Sequence, residues 1–280
     1  MSFSVSVIVS TYNSPEWLEK VLWGFENQNF RNYQLVLADD GSTTETTDLV
    51  ASIRKNNILE IEHVWHEDMG CQKAVILNKA VTRASGDYLI FTEGDCIPRQ
   101  DFVHAHEKRA KQGYFLSGDF AKLPRCCSVQ VNKEEIMSGS AFDIFWLTTH
   151  GYPDHSNKMR LLAKGWWAKF LNFAVPTQNK WNHHNSSGWK SDILSVNGFD
   201  ERMQYRDGDC EMGERLKNSG IKVRRVGYTA ASVHLYPGKQ IQTDESKILN
   251  QSIRDATRRD QSCYTTFGIV KSPRSARAGG

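Results

Sequence analysis

Two carboxylates, Glu93 and Asp95, flank one glycine in the stretch Phe91-Thr92-Glu93-Gly94-Asp95-Cys96-Ile97-Pro98, just after the apolar run Tyr88-Leu89-Ile90-Phe91. Acidic groups so spaced at a strand's carboxyl end can hold a hard divalent cation, and the glycine lets a charged ligand approach the backbone. A solvated acidic loop has the same composition, so the chemistry depends on what converges with this turn. Standing alone, Asp40 in Asp39-Asp40-Gly41-Ser42 reads as an Asx turn closing a strand, and His234 as a half-buried strand histidine.

The elements that would position these groups are legible from periodicity. Residues Ser4 to Ser10 form a β-branched run that opens into the polar turn Thr11 to Pro15, as a buried strand would. A helix follows, with Ser14 as cap, Pro15 in its first turn, and Trp17, Leu18, Val21, Leu22 and Phe25 on one face. Tyr33 to Ala38 is a second strand, so strand, helix and strand make a right-handed parallel unit. A third strand is predicted near Ile58 to Trp65, then a helix over Gln72 to Ala84, then the strand Tyr88 to Phe91. The fold class is α/β, and the loops Ser10 to Ser14, Asp39 to Ser42 and Glu93 to Pro98 converge on one crevice. Further on, a helix over Glu211 to Ser219, ended by Gly220, and a strand over Lys222 to Val226 are predicted. The segment Asp244 to Arg259 has Ile248, Leu249, Ser252 and Ile253 at helical spacing, for packing on the body or for self-association.

With 280 residues, 39% of them hydrophobic, the chain can bury a sizeable core. A net charge of +3 without a basic block argues against nucleic-acid binding. No apolar run is long enough to span a membrane, and no basic-then-apolar leader opens the sequence, so a cytoplasmic setting, extending to the inner face of the membrane, is expected. The six cysteines, without Cys-x-x-Cys spacing, read as reduced thiols. The Trp-rich, basic stretch Lys164 to Phe170 suits an acceptor or membrane surface, but tryptophan is mostly buried in proteins, which favours core packing. The expected division is a first half of one domain over 1–112, its second half over 113–240, a helical extension over 241–271 and a disordered tail over 272–280.

Several stretches in order resemble the family 2 nucleotide-sugar glycosyltransferases of the GT-A fold, a Rossmann-like, mostly parallel sheet flanked by helices. They are Val7-Ile8-Val9-Ser10-Thr11-Tyr12-Asn13, Ala38-Asp39-Asp40-Gly41-Ser42, Leu77-Asn78-Lys79-Ala80, Gly86 through Asp95, and Val196-Asn197-Gly198-Phe199-Asp200-Glu201. The last looks like the galactosyltransferase-like branch.

The resemblance implies that Ser10, Tyr12 and Asp40 hold the nucleoside, with Tyr12 beside the base and Asp40 accepting a hydrogen bond from it. An aromatic face stacks on any base, and a carboxylate accepts from an imide N–H such as that of uracil. It implies that Glu93 and Asp95 bind Mn²⁺ or Mg²⁺ across the diphosphate. Asp95 is then the direct ligand, and Glu93, standing where Asp is usual, reaches the ion directly or through water. His234 matches the late metal-binding histidine, and a neutral imidazole suits Mn²⁺ better than Mg²⁺. Lys73 and Asn78 resemble diphosphate-facing positions. Cys71 and Gln72 replace a common aromatic and arginine, and Lys73 is either a substitute point charge or a solvated helix-face lysine.

By the same resemblance Asp209 is the catalytic base, with Asp207 and Glu211 as rivals and a helix cap as the structural alternative. Gly208 stands where relatives carry a Glu. Asn185, Trp189 and Asp192 correspond to the region facing donor sugar and acceptor, with core packing the alternative for Trp189. The implied enzyme is a metal-dependent, inverting glycosyltransferase. It would move a hexose or N-acetylhexosamine from a UDP-sugar to a saccharide or glycolipid acceptor in surface polysaccharide or lipopolysaccharide synthesis. The alternatives are a degenerate sugar-nucleotide-binding protein and a nucleotidyltransferase; the latter would need a Gly-rich basic loop that Ser10 to Pro15 lacks.

Overall fold

The computed structural model describes residues 3–271 except 57, 154–157, 176–179, 206 and 237–241; the expected disordered tail lies outside the described residues. β1 (Val5–Thr11), α1 (Pro15–Glu26), β2 (Gln34–Asp39), α2 (Thr44–Lys55), β3 (Ile61–Trp65), α3 (Lys73–Arg83) and β4 (Tyr88–Glu93) alternate; all but α2, a helix not expected from the sequence, follow the predicted periodicity. β5 (Cys96–Pro98), α4 (Phe102–Glu107), β6 (Tyr114–Ser117) and β7 (Ala121–Lys122) follow. A run of short helices comes next: α5 (Arg125–Gln130), α6 (Lys133–Ser138), α7 (Ile144–Thr149), α8 (Met159–Leu162) and α9 (Gly165–Ala174). The chain closes with β8 (Ser186–Trp189), α10 (Lys190–Ser195), α11 (Gly208–Asn218), β9 (Lys222–Arg225), β10 (Ser232–His234) and α12 (Asp244–Arg259).

Seven strands make the main sheet, in the order β3-β2-β1-β4-β8-β6-β9. The first four in that order are mutually parallel, while β8 runs antiparallel to both its neighbours. Side chains alternate across β1, so Val5, Val7 and Val9 pack with Leu18, Val21, Leu22 and Phe25 of α1, and Ile8 packs with Ile76, Leu77 and Ala80 of α3. Both faces are thereby covered, as a parallel sheet requires. The strand ends lie level: Ser10 is opposite Glu93, Thr11 opposite Asp39, and Asp39 opposite Trp65. A small second sheet, β5-β10-β7, pairs His234 with Cys96 and so carries a residue remote in sequence to the Glu93 turn.

Two expectations about faces change. α12 packs on α11 through Ser246, Asn250, Ile253 and Thr257, whereas Ile248 and Leu249 point outward. Polar and ionic contacts hold it, Arg254 to Glu214 at 2.8 Å among them. In the Trp-rich stretch the preference for core packing fails at α9, where Trp166 is 75% and Phe173 89% exposed. The ten-residue helix buries only the stripe Ala168 and Leu171, leaving the aromatics of its other side exposed; Trp181, downstream, is fully buried.

Candidate active site

β1 and β4 deliver Ser10 and Glu93 side by side, and the Gly94 amide donates to the Ser10 carbonyl at 2.8 Å, which closes the acidic turn against β1. Into this turn comes the loop before β8, pinned by the Thr92 hydroxyl donating to the His184 carbonyl at 3.0 Å. The His184 imidazole meets Glu93, and Lys73, from the first turn of α3, meets the same carboxylate. One ligand atom each of Glu93, Cys96, His184 and His234 lies within 4.8 Å of the others. Asp95 stands beside them, its carboxylate 3.4 Å from His234 Nε2. The Phe120 ring packs against both imidazoles, with centroids 4.6 Å from His184 and 5.0 Å from His234.

Charge is concentrated here. Burial opposes ionisation of Glu93, but Lys73 and His184 override it and hold the carboxyl well below its usual range. Burial, with the Glu93 charge beside it, pushes the Asp95 carboxyl up to about 6. Burial also raises the Cys96 thiol, which therefore stays protonated. The remaining donors, carboxylate oxygen and imidazole nitrogen, form a mixed set that fits Mn²⁺ better than Mg²⁺.

Asp209 faces this group from the first turn of α11, which begins three residues before the predicted Glu211. Its two oxygens accept from the Cys210 amide at 2.7 Å and the His183 amide at 3.1 Å. Burial alone would raise its pKa; the neighbouring His183, the Cys210 amide and Lys73 bring it below the ordinary value. His183 is itself pushed down to about 4 by burial, so at neutral pH the Lys73 ammonium and the two amides keep Asp209 ionised. The rivals are engaged elsewhere. Glu211 makes a bidentate pair with Arg215 at 2.8 and 2.7 Å, both buried, and Asp207 meets Arg254 at 3.2 Å.

At the outer end of β1 to β3, Tyr12 is half exposed and donates to Asp68 at 2.9 Å. Asp40 accepts from His66 Nε2 at 2.8 Å and from the Gln72 amide at 3.1 Å. Since Lys79 Nζ can only donate to His66 Nδ1, at 3.1 Å, the proton of that imidazole sits on Nε2 and points at Asp40. Trp65, half exposed, donates to the Ser42 carbonyl at 3.1 Å and faces the same cleft.

Residues 6–123 match the family described as Glycosyl transferase family 2. Over that span the chain is similar to glycosyl transferase family 2. A validoxylamine A glucosyltransferase of Streptomyces hygroscopicus subsp. jinggangensis is 26% identical over 234 residues, covering 78% of this chain and 52% of that protein. The chain thus spans about half the length of the curated relatives it matches first. S. aureus TarS 1–349 in complex with UDP-GlcNAc superposes with a TM-score of 0.60 at 13% identity, over 92% of this chain and 69% of that one. Mannosyltransferase PcManGT from Pyrobaculum calidifontis, in complex with GDP-Man and Mn²⁺, gives 0.56 at 17%, over 93% and 63%. These likenesses show the GT-A fold.

Several expected site residues make their contacts within the fold. Asn78 is buried; its amide donates to the Phe199 carbonyl and Glu201 carboxylate, both at 2.9 Å, and accepts from the Phe199 amide at 2.8 Å, so it clamps α3 to that loop. Asn185, 0% exposed, donates to the Asp119 and Ala230 carbonyls at 2.8 and 2.7 Å and accepts from His106 at 2.9 Å, leaving its amide nothing to offer a sugar. Trp189 lies opposite Tyr88, at the far end of β4 from Glu93, and packs on Phe3 and Tyr88. Asp192 follows it in α10, at that same remote end. Lys73 is not a solvated helix-face lysine: Glu93 holds it in the cluster, with Asp95 and Asp209 near enough to keep it charged despite burial. His183, His184 and Cys96 had no motif to reveal them.

Proposed function

We propose that the chain is a metal-dependent, inverting glycosyltransferase that transfers a hexose or N-acetylhexosamine from a UDP-sugar to a hydroxyl of a saccharide or glycolipid acceptor. The observation that carries the reading is the pairing of two groups at one crevice. A cluster of Glu93, Asp95, His184 and His234 stands on one side, and an ionised Asp209 without an arginine partner among the described residues stands on the other. Glu93, His184 and His234, with Asp95 adjacent, would hold Mn²⁺. Such a cation, when bound, neutralises charge on the departing diphosphate. Lys73 lies between the cluster and Asp209, where its ammonium adds a second positive charge toward phosphate.

Asp209 then accepts the acceptor hydroxyl's proton on a carboxylate oxygen as that hydroxyl attacks the anomeric carbon opposite the diphosphate, which inverts the configuration. Tyr12 and Trp65 give the cleft aromatic faces for a base, and Asp40 gives it an acceptor, an arrangement that favours uracil. Surface polysaccharide or lipopolysaccharide synthesis in the cytoplasm is the setting that fits this chemistry. The test is to incubate the protein with Mn²⁺, a panel of nucleotide sugars and an acceptor mixture, and to measure nucleotide release. Release from a UDP-sugar supports the reading. UDP and Mn²⁺ binding without release from any donor would support the degenerate binding protein instead.

A further inference from the structure

The aromatic side of α9 is the largest feature that the site leaves unused. Trp166, Phe170 and Phe173 recur at i, i+4 and i+7 on one face, all exposed, and Trp167 stacks on Phe170 with centroids 5.3 Å apart. Leu162, just upstream, is exposed as well. The opposite side is fixed to the body: Ala168 and Leu171 pack with Tyr228, Asn172 donates to Thr229 at 3.0 Å, and its carbonyl oxygen accepts from the Tyr228 amide at 3.0 Å. The helix is therefore anchored, and its bare face is a built part of the surface.

Charge selects what covers it. From Lys158 to Lys180 the sequence carries Lys158, Arg160, Lys164, Lys169 and Lys180 and no Asp or Glu. Arg160 answers Asp119, whereas Lys164 and Lys169 are exposed beside the aromatics. A second copy of the chain docked face to face would oppose lysine to lysine. Tryptophan and phenylalanine flanked by lysines instead match the boundary between anionic headgroups and acyl chains, where rings enter the apolar layer and ammonium groups remain outside. We propose that α9 lies in the interface of an anionic bilayer, with Trp166, Phe170 and Phe173 inserted and Lys164 and Lys169 on the headgroups. No helix among the described residues is long and apolar enough to cross the membrane, so this contact would be peripheral.

The test needs no turnover and is independent of the proposed reaction. The protein is floated with vesicles of phosphatidylcholine containing phosphatidylglycerol and with vesicles of phosphatidylcholine alone, while tryptophan emission is followed. Binding to the anionic vesicles, weakened by salt and accompanied by a blue shift, is expected. Lys164→Ser with Lys169→Ser should weaken it about twenty-fivefold, at about fivefold per lysine. Trp166→Ser with Phe170→Ser and Phe173→Ser should abolish it without lowering the melting temperature. Absence of binding, or binding indifferent to both sets, overturns the proposal. So does a lipid-free oligomer in sedimentation equilibrium that the aromatic set disperses, which would make a second copy the occupant. A fall in melting temperature on the aromatic set would show that the face is covered within the chain itself.

Discussion

Asp209 and Glu211 lie two residues apart on α11, and exchanging each for its amide separates a base from a structural anion. Asp209→Asn keeps the shape but removes the proton acceptor. A positioned base contributes about 10²- to 10⁴-fold, so nucleotide release should fall by that amount. The fold should survive. Asp209 accepts from two backbone amides, at 2.7 and 3.1 Å, and an Asn oxygen can keep only one of them, a loss of about 1–3 kcal/mol. Glu211→Gln is the opposite case. Glu211 and Arg215 are each about 1% exposed, and Thr257 donates to the same carboxylate at 2.9 Å. Removing the anion leaves a buried guanidinium with only carbonyls for company, which costs about 3–5 kcal/mol. Urea denaturation with nucleotide-release assays on both variants gives a crossed pattern: Asp209→Asn stable and inactive, Glu211→Gln unstable and, where folded, active. Asp209 titrates lower than a free carboxyl, so an acid loss of rate above the ordinary carboxylate range should follow other groups, Asp95 at about 6 among them. Turnover by Asp209→Asn within about tenfold of wild type, below the range a general base supplies, would refute the assignment.

Asn185→Leu should lower stability by at least about 2 kcal/mol in urea titration, since it strands His106 and two carbonyls; a near-neutral result would return Asn185 to the list of ligand contacts. Burial pushes His106 down to about 3 from 6.5, so the unfolded chain takes up the proton first and stability is lost as pH falls below about 6.5. By pH 5 that single group should remove about 2 kcal/mol, and His106→Gln should flatten this part of the curve; an unchanged slope would show that His106 is not held neutral. Mn²⁺ at about a hundredfold over its Kd should stabilise metal-free protein by about 2.7 kcal/mol in calorimetry, and His234→Ala should remove the shift. A shift retained in that variant would take His234 out of the ligand set.

The half over 1–112 was legible because its elements are long and locally coded. β1 is a seven-residue apolar strand, α1 has its proline at the start, and the loops after β1, β2 and β4 follow from strand periodicity. β8 and β10, of four and three residues, carry no such signal and owe their existence to pairing with distant strands. His184, in the loop that leads into β8, could therefore not be joined to Glu93 beforehand. Motif position alone also could not tell a ligand contact from a clamp. Asn78 and Asn185 have the composition of sugar-binding residues, yet their amides are consumed by backbone groups across the fold.

The sequence by itself determined the α/β class, the convergence of three polar loops and the identity of the acidic turn, because apolar periodicity and turn chemistry act within a few residues. Tertiary structure alone decided which carboxylates of α11 and its cap are paired with arginine, which histidines meet Glu93, and which aromatics of the Trp-rich stretch remain outside. Those outcomes depend on what long-range packing brings within a few ångströms of each group, and local sequence carries no record of such distances.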